Sequence, residues 1–544
     1  MSAPMSQSKL QSQSKLESQS KPQARSKPHR ARGSARGIAT LAALVSLSAL
    51  GMGAGCTEPP MTPPPPFPTA TATASASAAP TVLPDSIENK PGLPAARPFE
   101  PPSPEIVKLP NGMTAWLLER HTLPLVAVSL ALPVGSAADP AGKEGLASIT
   151  ADMLDEGAGS RSAIEVSTAL QDLGVSLRTS VSLDGSFLSM TVLKKNFGQA
   201  FSILSDVVAR PRFEAKEWKR VSDLWKASLL KRADDPASVA RVVSQVAVFG
   251  RDNPYGHPTD GFTTSAGNVD LAAVKAFHAS RYRPEDMVLA VAGDITKDEL
   301  SRAVTDAFGA WKASGPVAEP TTFPAPKKGP AIVLVDRPDA PQAVIGVARE
   351  GIRLQDAQAP LYELVNTALG GSFTSRLNQN LREDHGWTYG AGSFFSETKH
   401  GGLFGARAAV ETKHTGPALD EMLKELRQMA AKGLTEDELL KVRAQDRADL
   451  VQAYESVAGI AGRYAVLSTL GLPASHDANA SRTRQAASLS DLEKIANAVD
   501  PSKATIVVVG PRKEVAPVLA KLGTPVIWDT EGNPVKDDAA KSAP

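Results

Sequence analysis

The chain has 544 residues, enough for roughly two to four domains, and its 42% hydrophobic and 22% charged residues are typical of soluble globular protein. The formal net charge is +1, but residues 1–36 carry eight cations against one acid, which leaves 51 cations and 57 acids in the remainder. This acidic body gives no support to nucleic-acid binding, and the single cysteine, Cys56, excludes an intrachain disulfide.

The N-terminal segment has the features of a secretory signal. The apolar run GIATLAALVSLSALGMGAG lies between the basic residues 1–36 and Cys56. A basic region, a short apolar region and small residues before a cleavage site define such signals, and the run is too short for a convincing membrane span. GAGC at residues 53–56 resembles a bacterial lipoprotein box, although that box prefers Leu where Gly53 stands. We expect residues 1–55 to be the signal and Cys56 to carry a lipid; a plain signal peptide is the alternative.

Residues 56–105 form a Pro-, Ala- and Thr-rich segment. Fifteen prolines fall between Thr57 and Glu105. Such a composition cannot bury a core and favours extended polyproline II structure. We therefore predict a tether between a membrane anchor and a folded body, with a proline-recognition ligand as the alternative.

The first folded half is predicted over residues 106–313. An Asn-Gly pair joins two apolar runs in EIVKLPNGMTAWLLER, which indicates a β-hairpin, and a second pair of strands is predicted around Asp184-Gly185. Apolar periodicity predicts helices in this half. The helices are EGLASITADMLDEG, AIEVSTALQDLGV, FGQAFSILSDVVARPRF, residues 214–231 and LAAVKAFHASRY; LPLVAVSLALPVGS and DMVLAVAGDI are further strands.

After a linker at residues 314–330, the same order of elements repeats over residues 331–525. The predicted strands are AIVLVDRP, QAVIGVARE, WTYGAGSFFSE, GGLFGARAAVE and ATIVVVG; the helices are APLYELVNTALG, SRLNQNLRED, ALDEMLKELRQMAAKG, residues 436–455 and SDLEKIANAV. A flexible tail is predicted at residues 526–544. Repeats of about 200 residues indicate a duplicated unit. Hairpins of strands with blocks of helices predict an α+β fold, each half a mostly antiparallel sheet with helices on one face.

A motif search by itself finds no complete catalytic site. No two of the eight histidines lie three to five residues apart, and one cysteine cannot build a thiolate zinc site. No G-x-S-x-G elbow or Walker A loop is present. Each isolated histidine is therefore interpreted as a surface or structural residue.

The two halves together resemble the M16 metallopeptidases, the insulinase and mitochondrial-processing-peptidase-like family. The resemblance runs from about Ile106 to about Val515 and rests on NPYGHPTDG, FHASRYRPEDMVLAVAGDI and LGGSFTSRLNQNLREDHGWTYGAGSFF. It implies paired α+β domains and, in active members, an H-x-x-E-H helix whose histidines bind zinc and whose Glu is the general base.

The H-x-x-E-H frame is degenerate in this chain. In the frame G-L-A-H-x-x-E-H, Ser148 and Asp152 stand at the two His positions and Ala151 at the Glu position. The family's third ligand, a Glu on a later helix, corresponds to Ser228. A catalytic zinc needs three protein ligands, and Ala151 cannot accept a proton. The resemblance thus predicts no catalytic residue, no metal and no cofactor bound by this chain.

The second-half signature is better preserved. Arg382 and Tyr389 match the family's Arg and Tyr, which help to bind the substrate backbone near the zinc. A guanidinium and a phenol can donate hydrogen bonds to a peptide carbonyl or its oxyanion. The structural alternatives are a cation at a helix C-terminus, capped by Gly386, and an ordinary strand tyrosine.

These observations predict a non-catalytic, substrate-binding subunit of a heteromeric M16-type zinc peptidase. The expected partner is an M16 chain that bears H-x-x-E-H and holds the zinc, and the expected ligand is a peptide. The expected location is the periplasmic side of a membrane, with the outer membrane favoured because Thr57 follows Cys56. A lipid-anchored peptide-binding or scaffold module without proteolysis is the alternative. Activity of this chain alone is the third and least favoured interpretation.

Overall fold

The computed structural model describes residues 99–536 with the exception of residues 314, 327–328 and 397. Cys56 and the predicted signal lie outside the described residues. The elements of the first half are β1 (Glu105–Lys108), β2 (Thr114–Glu119), β3 (Leu125–Leu132), α1 (Leu146–Asp152), α2 (Ala163–Asp172), β4 (Arg178–Val181), β5 (Ser186–Leu193), α3 (Phe197–Ala209), α4 (Ala215–Arg232), α5 (Pro236–Phe249), α6 (Thr263–Ala266), α7 (Leu271–Arg281), β6 (Val288–Gly293) and α8 (Lys297–Phe308).

The second half repeats this pattern of strands and helices. Its elements are β7 (Ile332–Asp336), β8 (Gln342–Glu350), α9 (Ala359–Asn366), α10 (Arg376–Asn378), β9 (Thr388–Phe395), β10 (Leu403–Glu411), α11 (Thr415–Lys432), α12 (Glu436–Ala453), α13 (Val457–Thr469), α14 (His476–Ala486), α15 (Leu489–Ala496), β11 (Thr505–Gly510), α16 (Arg512–Leu519) and β12 (Val526–Trp528). Wide π-helical turns continue α9 over Thr367–Gly371 and α10 over Gln379–Asp384.

Each half forms one six-stranded sheet, and the strand orders correspond. The first sheet is β1-β2-β6-β3-β5-β4 and the second is β12-β7-β11-β8-β10-β9. In each sheet one inner strand runs parallel to another, β6 to β2 and β11 to β7, while the pairs β3–β5 and β8–β10 are antiparallel. The predicted α+β duplication with mostly antiparallel sheets is confirmed.

Local sequence signals explain where several helices begin. The side chains of Ser162 and Thr296 accept hydrogen bonds from backbone N–H groups in the first turns of α2 and α8. In turn, the carboxylates of Glu165 and Glu299 accept from the backbone N–H of these cap residues. Asp235 caps α5, whose first residue is Pro236. These arrangements satisfy backbone donors that a helix start leaves unpaired.

The helices of each half cover one face of its own sheet, but the opposite face carries a helix from the other half. On α13, Tyr464 packs its ring edge-on against Trp116 of the first sheet at a centroid distance of 6.1 Å. On α5, Val239, Val243 and Val246 pack against valines of the second sheet. The prediction of helices on one face therefore describes each half alone, and this exchange of α5 and α13 joins the two halves within one compact unit.

Both ends of the folded body extend beyond the predicted limits. Phe99 packs against the ring of Tyr454, and the Tyr464 hydroxyl donates to the Pro102 carbonyl at 2.6 Å, so the tether ends before residue 105. The tail predicted from residue 526 begins instead with β12, which pairs with β7. The reason is burial, because Trp528 is only 8% exposed against α5. No helix among the described residues is long and apolar enough to span a bilayer.

Candidate functional site

Three of the four degenerate zinc-site positions line one pocket. Ser148 and Asp152 of α1 face Ser228 of α4 across a cavity of about 950 Å³, part of which is open to solvent. None of the lining residues comes from the second half. Ala151 is not among them, because its side chain is only 2% exposed and faces the core. The tertiary structure thus brings together side chains that lie 76 residues or more apart in the chain.

The framework around α1 is well ordered by hydrogen bonds. Both carboxylate oxygens of Asp139 accept bonds of 2.7 Å, from the backbone N–H groups of Gly145 and Ala147 at the helix start. Gly145 has a φ of 96°, and a Cβ there would lie 2.7 Å from the Asp260 carbonyl oxygen. The predicted helix over residues 144–157 is shorter in the structure, since the chain turns after Asp152 to bury Met153 and Leu154 completely.

The two serine hydroxyls of the pocket are engaged by the protein itself. The Ser148 hydroxyl donates to the Thr259 carbonyl at 2.6 Å, and the Ser228 hydroxyl donates to the Trp225 carbonyl within its own helix at 2.7 Å. A serine hydroxyl is already a weak zinc ligand. In both Ser148 and Ser228 the hydroxyl proton points to a carbonyl, so neither side chain presents an anionic oxygen to the pocket.

The remaining pocket chemistry is acidic. Asp152 reaches solvent, but the pocket walls restrict hydration of its carboxyl group. This desolvation, followed by the charges of Asp155 and Glu156, raises the pKa of Asp152 from 3.8 to about 6. Desolvation, followed by the charge of Glu156, also raises the pKa of Asp155. Glu156 instead forms an ion pair with Arg220.

These residues do not fit a zinc ion. The described residues contain no group of three or more His, Cys, Asp or Glu side chains placed to hold a metal. The pocket offers carboxylates that repel each other and hydroxyls that donate elsewhere, and it has no imidazole. Because three ligands of suitable chemistry are required for a catalytic zinc, we derive no step through a metal at this pocket.

Arg382 lies in the wide turn Gln379–Asp384 of the second half. Its guanidinium carbon stands 4.6 Å above the ring centre of Phe373, which is 64% exposed. Its Nε lies 3.2 Å from the Glu383 carboxylate in an exposed ion pair, a type of pair that holds a side chain only weakly. Gly386, at a φ of 65°, ends the turn by donating its N–H to the Arg382 carbonyl at 2.9 Å.

Tyr389 lies where edge strand β9 is irregular. Thr388 pairs with Val410 and Ala391 pairs with Ala408, so Tyr389 and Gly390 stand opposite a single residue of β10. Such a β-bulge re-aims a side chain, and bulges are frequent next to functional sites. The Tyr389 side chain is 90% exposed, which leaves its hydroxyl available to a ligand.

Buried asparagines hold this surface in place, and the sequence did not single them out. Asn378 accepts from the Ala391 N–H at 3.2 Å and donates to the Phe373 carbonyl at 2.6 Å, which ties β9 to the loop below Arg382. Asn366 accepts from the Ser393 hydroxyl at 2.8 Å. The sequence contained a signal for these residues, because asparagine is unfavourable inside a helix unless its side-chain amide forms hydrogen bonds.

The segment NPYGHPTDG proves to be structural. The buried Tyr255 hydroxyl donates to Asp184 at 2.6 Å, and Asp184 also accepts from the Lys399 N–H of the second half at 2.9 Å. The Tyr255 ring packs against Phe323 of the linker at 4.9 Å. Burial lowers the pKa of His257, which favours its neutral form. This segment joins the two halves through the linker.

Two family models match the chain. The model described as "Insulinase (Peptidase family M16)" matches residues 116–242, and the model described as "Peptidase M16 inactive domain" matches residues 268–445. The two matched segments together cover more than half of the 544 residues.

Individual relatives agree with these models. An uncharacterized zinc protease of Mycobacterium leprae is 27% identical over 356 residues, or 64% of this chain and 78% of the relative. One from Mycobacterium tuberculosis is 28% identical over 380 residues, or 67% of this chain and 84% of the relative. The crystal structure of a peptidase M16 inactive domain from Pseudomonas fluorescens has a TM-score of 0.69 and 25% identity, covering 75% of this chain and 98% of that one.

Proposed function

Because the chain belongs to the M16 peptidase family, we propose that it is a non-catalytic, substrate-binding subunit of a two-chain zinc peptidase. In this proposal a second M16 chain supplies zinc and general base, and this chain supplies Arg382 and Tyr389 to the peptide backbone. The contrast between two places supports it. The α1–α4 pocket offers no imidazole and no set of three zinc ligands, while Asn378 anchors the surface on which Tyr389 is exposed and Arg382 is half-buried.

The chemistry proposed for the two residues is electrostatic. The Arg382 guanidinium lies over the Phe373 ring, and a guanidinium in such a contact can still donate hydrogen bonds through its N–H groups. A phenol from the bulge adds one more donor. Donors fixed before the reaction stabilise an oxyanion without reorganisation, and loss of one such donor lowers the rate by about 100-fold or more.

The test is reconstitution with an M16 chain that carries an intact H-x-x-E-H motif, sought first in a neighbouring reading frame. We expect the mixture to cleave a peptide library faster than either chain alone. A metal chelator should abolish the peptidase activity of the mixture. Arg382→Ala and Tyr389→Phe should each lower kcat/KM of the mixture roughly 10- to 100-fold.

Matched controls separate this role from a loss of folding. Arg427→Ala removes an exposed arginine of α11, and Tyr362→Phe removes a half-buried phenol; both should leave the mixed activity unchanged. If the Arg382 and Tyr389 variants behave like these controls, the proposed role is wrong. Peptide binding by this chain with no activity in any mixture would instead support the scaffold function.

We also propose that Cys56 is lipidated and that residues 57–98 tether the folded body to the periplasmic face of a membrane, with the outer membrane favoured. The support is the basic and apolar signal pattern before the only cysteine. Labelling with a radioactive fatty acid should mark the wild-type chain and leave Cys56→Ala unlabelled. A labelled Cys56→Ala chain would contradict the proposal.

A further inference from the structure

An apolar groove lies between α5 and the face of the second sheet that α5 only partly covers. Its volume is about 840 Å³, including space open to solvent, which is within the usual range for small-molecule sites. Ala237 and Ala240 of α5 form one wall, Phe394 of β9 forms the other, and Val344 lies on the floor. A second cavity shares Ala237 and Val344 and continues the groove to Gly390.

Glycines keep the floor of the groove open. Arg407 of β10 stands directly opposite Gly346 of β8 and Gly392 of β9, so no cross-strand side chain covers its stem. At Gly405, on the same face, a Cβ would lie 2.7 Å from the Phe394 ring, which therefore rests on the bare strand. Arg407 lines both cavities.

Two arginines give the groove a positive charge. Arg241 of α5 and Arg407 are both exposed, and within the described part of the chain no carboxylate lies within 4.0 Å of either guanidinium. Hydrogen bonding to Ser238 and, more weakly, the charge of Arg241 lower the pKa of Asp235, so Arg241 has only a long-range interaction with that acid. An anion bound to these arginines would form charge-assisted hydrogen bonds with them.

The groove offers little to a peptide main chain. Strands β8 and β10 are each paired on both sides, so their backbone N–H and C=O groups are already used in the sheet. In the wall, the Ser396 hydroxyl accepts from the Leu403 N–H, and Thr398 donates to the Gly401 carbonyl. A polypeptide lying across the floor of β8 and β10 would find no free backbone partners there, which is costly for its buried polar groups, whereas an acyl chain has no polar groups to satisfy.

We propose that this groove binds a long-chain carboxylate, with the acyl chain on the apolar floor beside Phe394 and the carboxylate on Arg241 and Arg407. The inference is independent of the proposed peptidase role, because it uses neither Arg382, Tyr389 nor a partner chain.

The test uses the purified chain and calorimetric titration with dodecanoate below its micelle concentration. Dodecanol carries the same chain without the charge, and acetate carries the charge without the chain. We expect saturable binding of one dodecanoate per chain, weaker binding of dodecanol and no detectable binding of acetate. Arg407→Gln and Arg241→Gln should each weaken dodecanoate binding roughly tenfold, the usual effect of losing one charged contact.

Two further variants make the result specific. Ala237→Phe fills the groove from an exposed helix position and should abolish binding, while Arg427→Gln on the opposite side of the second sheet should change nothing. Thermal unfolding verifies that each variant is folded. The proposal is overturned if dodecanoate does not bind saturably, if the folded Arg407→Gln and Ala237→Phe variants bind like the wild type, or if a short apolar peptide binds the groove and dodecanoate does not.

Discussion

The pocket between α1 and α4 and the surface around β9 use their polar side chains in opposite ways. In the pocket, the hydroxyls of Ser148 and Ser228 donate to nearby carbonyls, and Asp152 lies among other acids. Around β9, buried asparagines hold the strand through hydrogen bonds, Tyr389 faces solvent, and Arg382 is half-buried. The pocket has its helices in place but no set of zinc ligands. The β9 surface presents side-chain hydrogen-bond donors next to buried asparagines.

The comparison separates the packing of a helix from the chemistry of its polar side chains. Helix α1 buries Leu146, Ile149, Met153 and Leu154 in the first core, and this apolar contact does not depend on what lies at Ser148 or Asp152. By contrast, Tyr389 is 90% exposed and adds little burial to the fold, and Arg382 is half-buried over Phe373.

The largest expected effect comes from rebuilding the ligands in the pocket. The triple variant Ser148→His, Asp152→His, Ser228→Glu places two imidazoles one helical turn apart and a carboxylate on α4. We expect about one tightly bound zinc per chain after dialysis and an affinity at least roughly 1,000-fold above the wild type. With Ala151 unchanged the Glu of the H-x-x-E-H frame is missing, so zinc should bind without proteolysis.

The double variant Ser148→His, Asp152→His is the matched control, and it should bind zinc more weakly because it lacks the third ligand. A folded triple variant with no more zinc than the wild type would show that the three side chains do not converge on one point. The contrast between the α1–α4 pocket and the β9 surface would then lie in the shape of the pocket and not in which side chains line it.

A second test removes the framework of the β9 surface. Asn378→Ala deletes one acceptor and one donor in a side chain that is 4% exposed. Leaving the Ala391 N–H and the Phe373 carbonyl unsatisfied should cost about 2 kcal/mol of unfolding free energy, measured by urea denaturation. The exposed Asn479→Ala should stay within about 0.5 kcal/mol. Equal effects of the two changes would mean that Asn378 does not hold β9.

The smallest effect concerns the acids of the pocket. With a folded pKa of about 6 against 3.8, Asp152 binds more protons in the folded chain between these values. The stability should therefore fall as pH rises through this window and remain lower above it. After allowance for solvent screening of an exposed group, Asp152→Asn should stabilise the chain by about 1 kcal/mol near pH 8 and by nothing near pH 4.

The exposed Asp420→Asn in α11 serves as the control for this pH dependence and should show no comparable gain near pH 8. Urea denaturation at both pH values measures the difference. A gain for Asp152→Asn that is the same at both pH values would contradict the raised pKa, since only the ionised carboxylate is destabilising.

Much of the fold was predictable because its signals are local. The Asn-Gly hairpin, the alternating strand of residues 186–193 and the capped helix of residues 163–172 are encoded by neighbours in the chain. Helices α5 and α13 were not among the predicted elements. Both are strongly apolar segments, PASVARVVSQVAVF and VAGIAGRYAVLST, and nothing in such a segment specifies which sheet it will cover.

By itself, the sequence determined the duplication, the position of the degenerate motif and the lack of any histidine between His121 and His257 that could bind zinc. Only the tertiary structure decided that Ser228 faces Ser148 and Asp152, that Tyr389 is exposed in a bulge, and that α5 and α13 exchange sheets. The physical reason is the separation of the interacting residues along the chain. Turns, caps and periodicity depend on residues a few positions apart, whereas burial, side-chain pKa values and the shape of a pocket depend on side chains from distant parts of the chain.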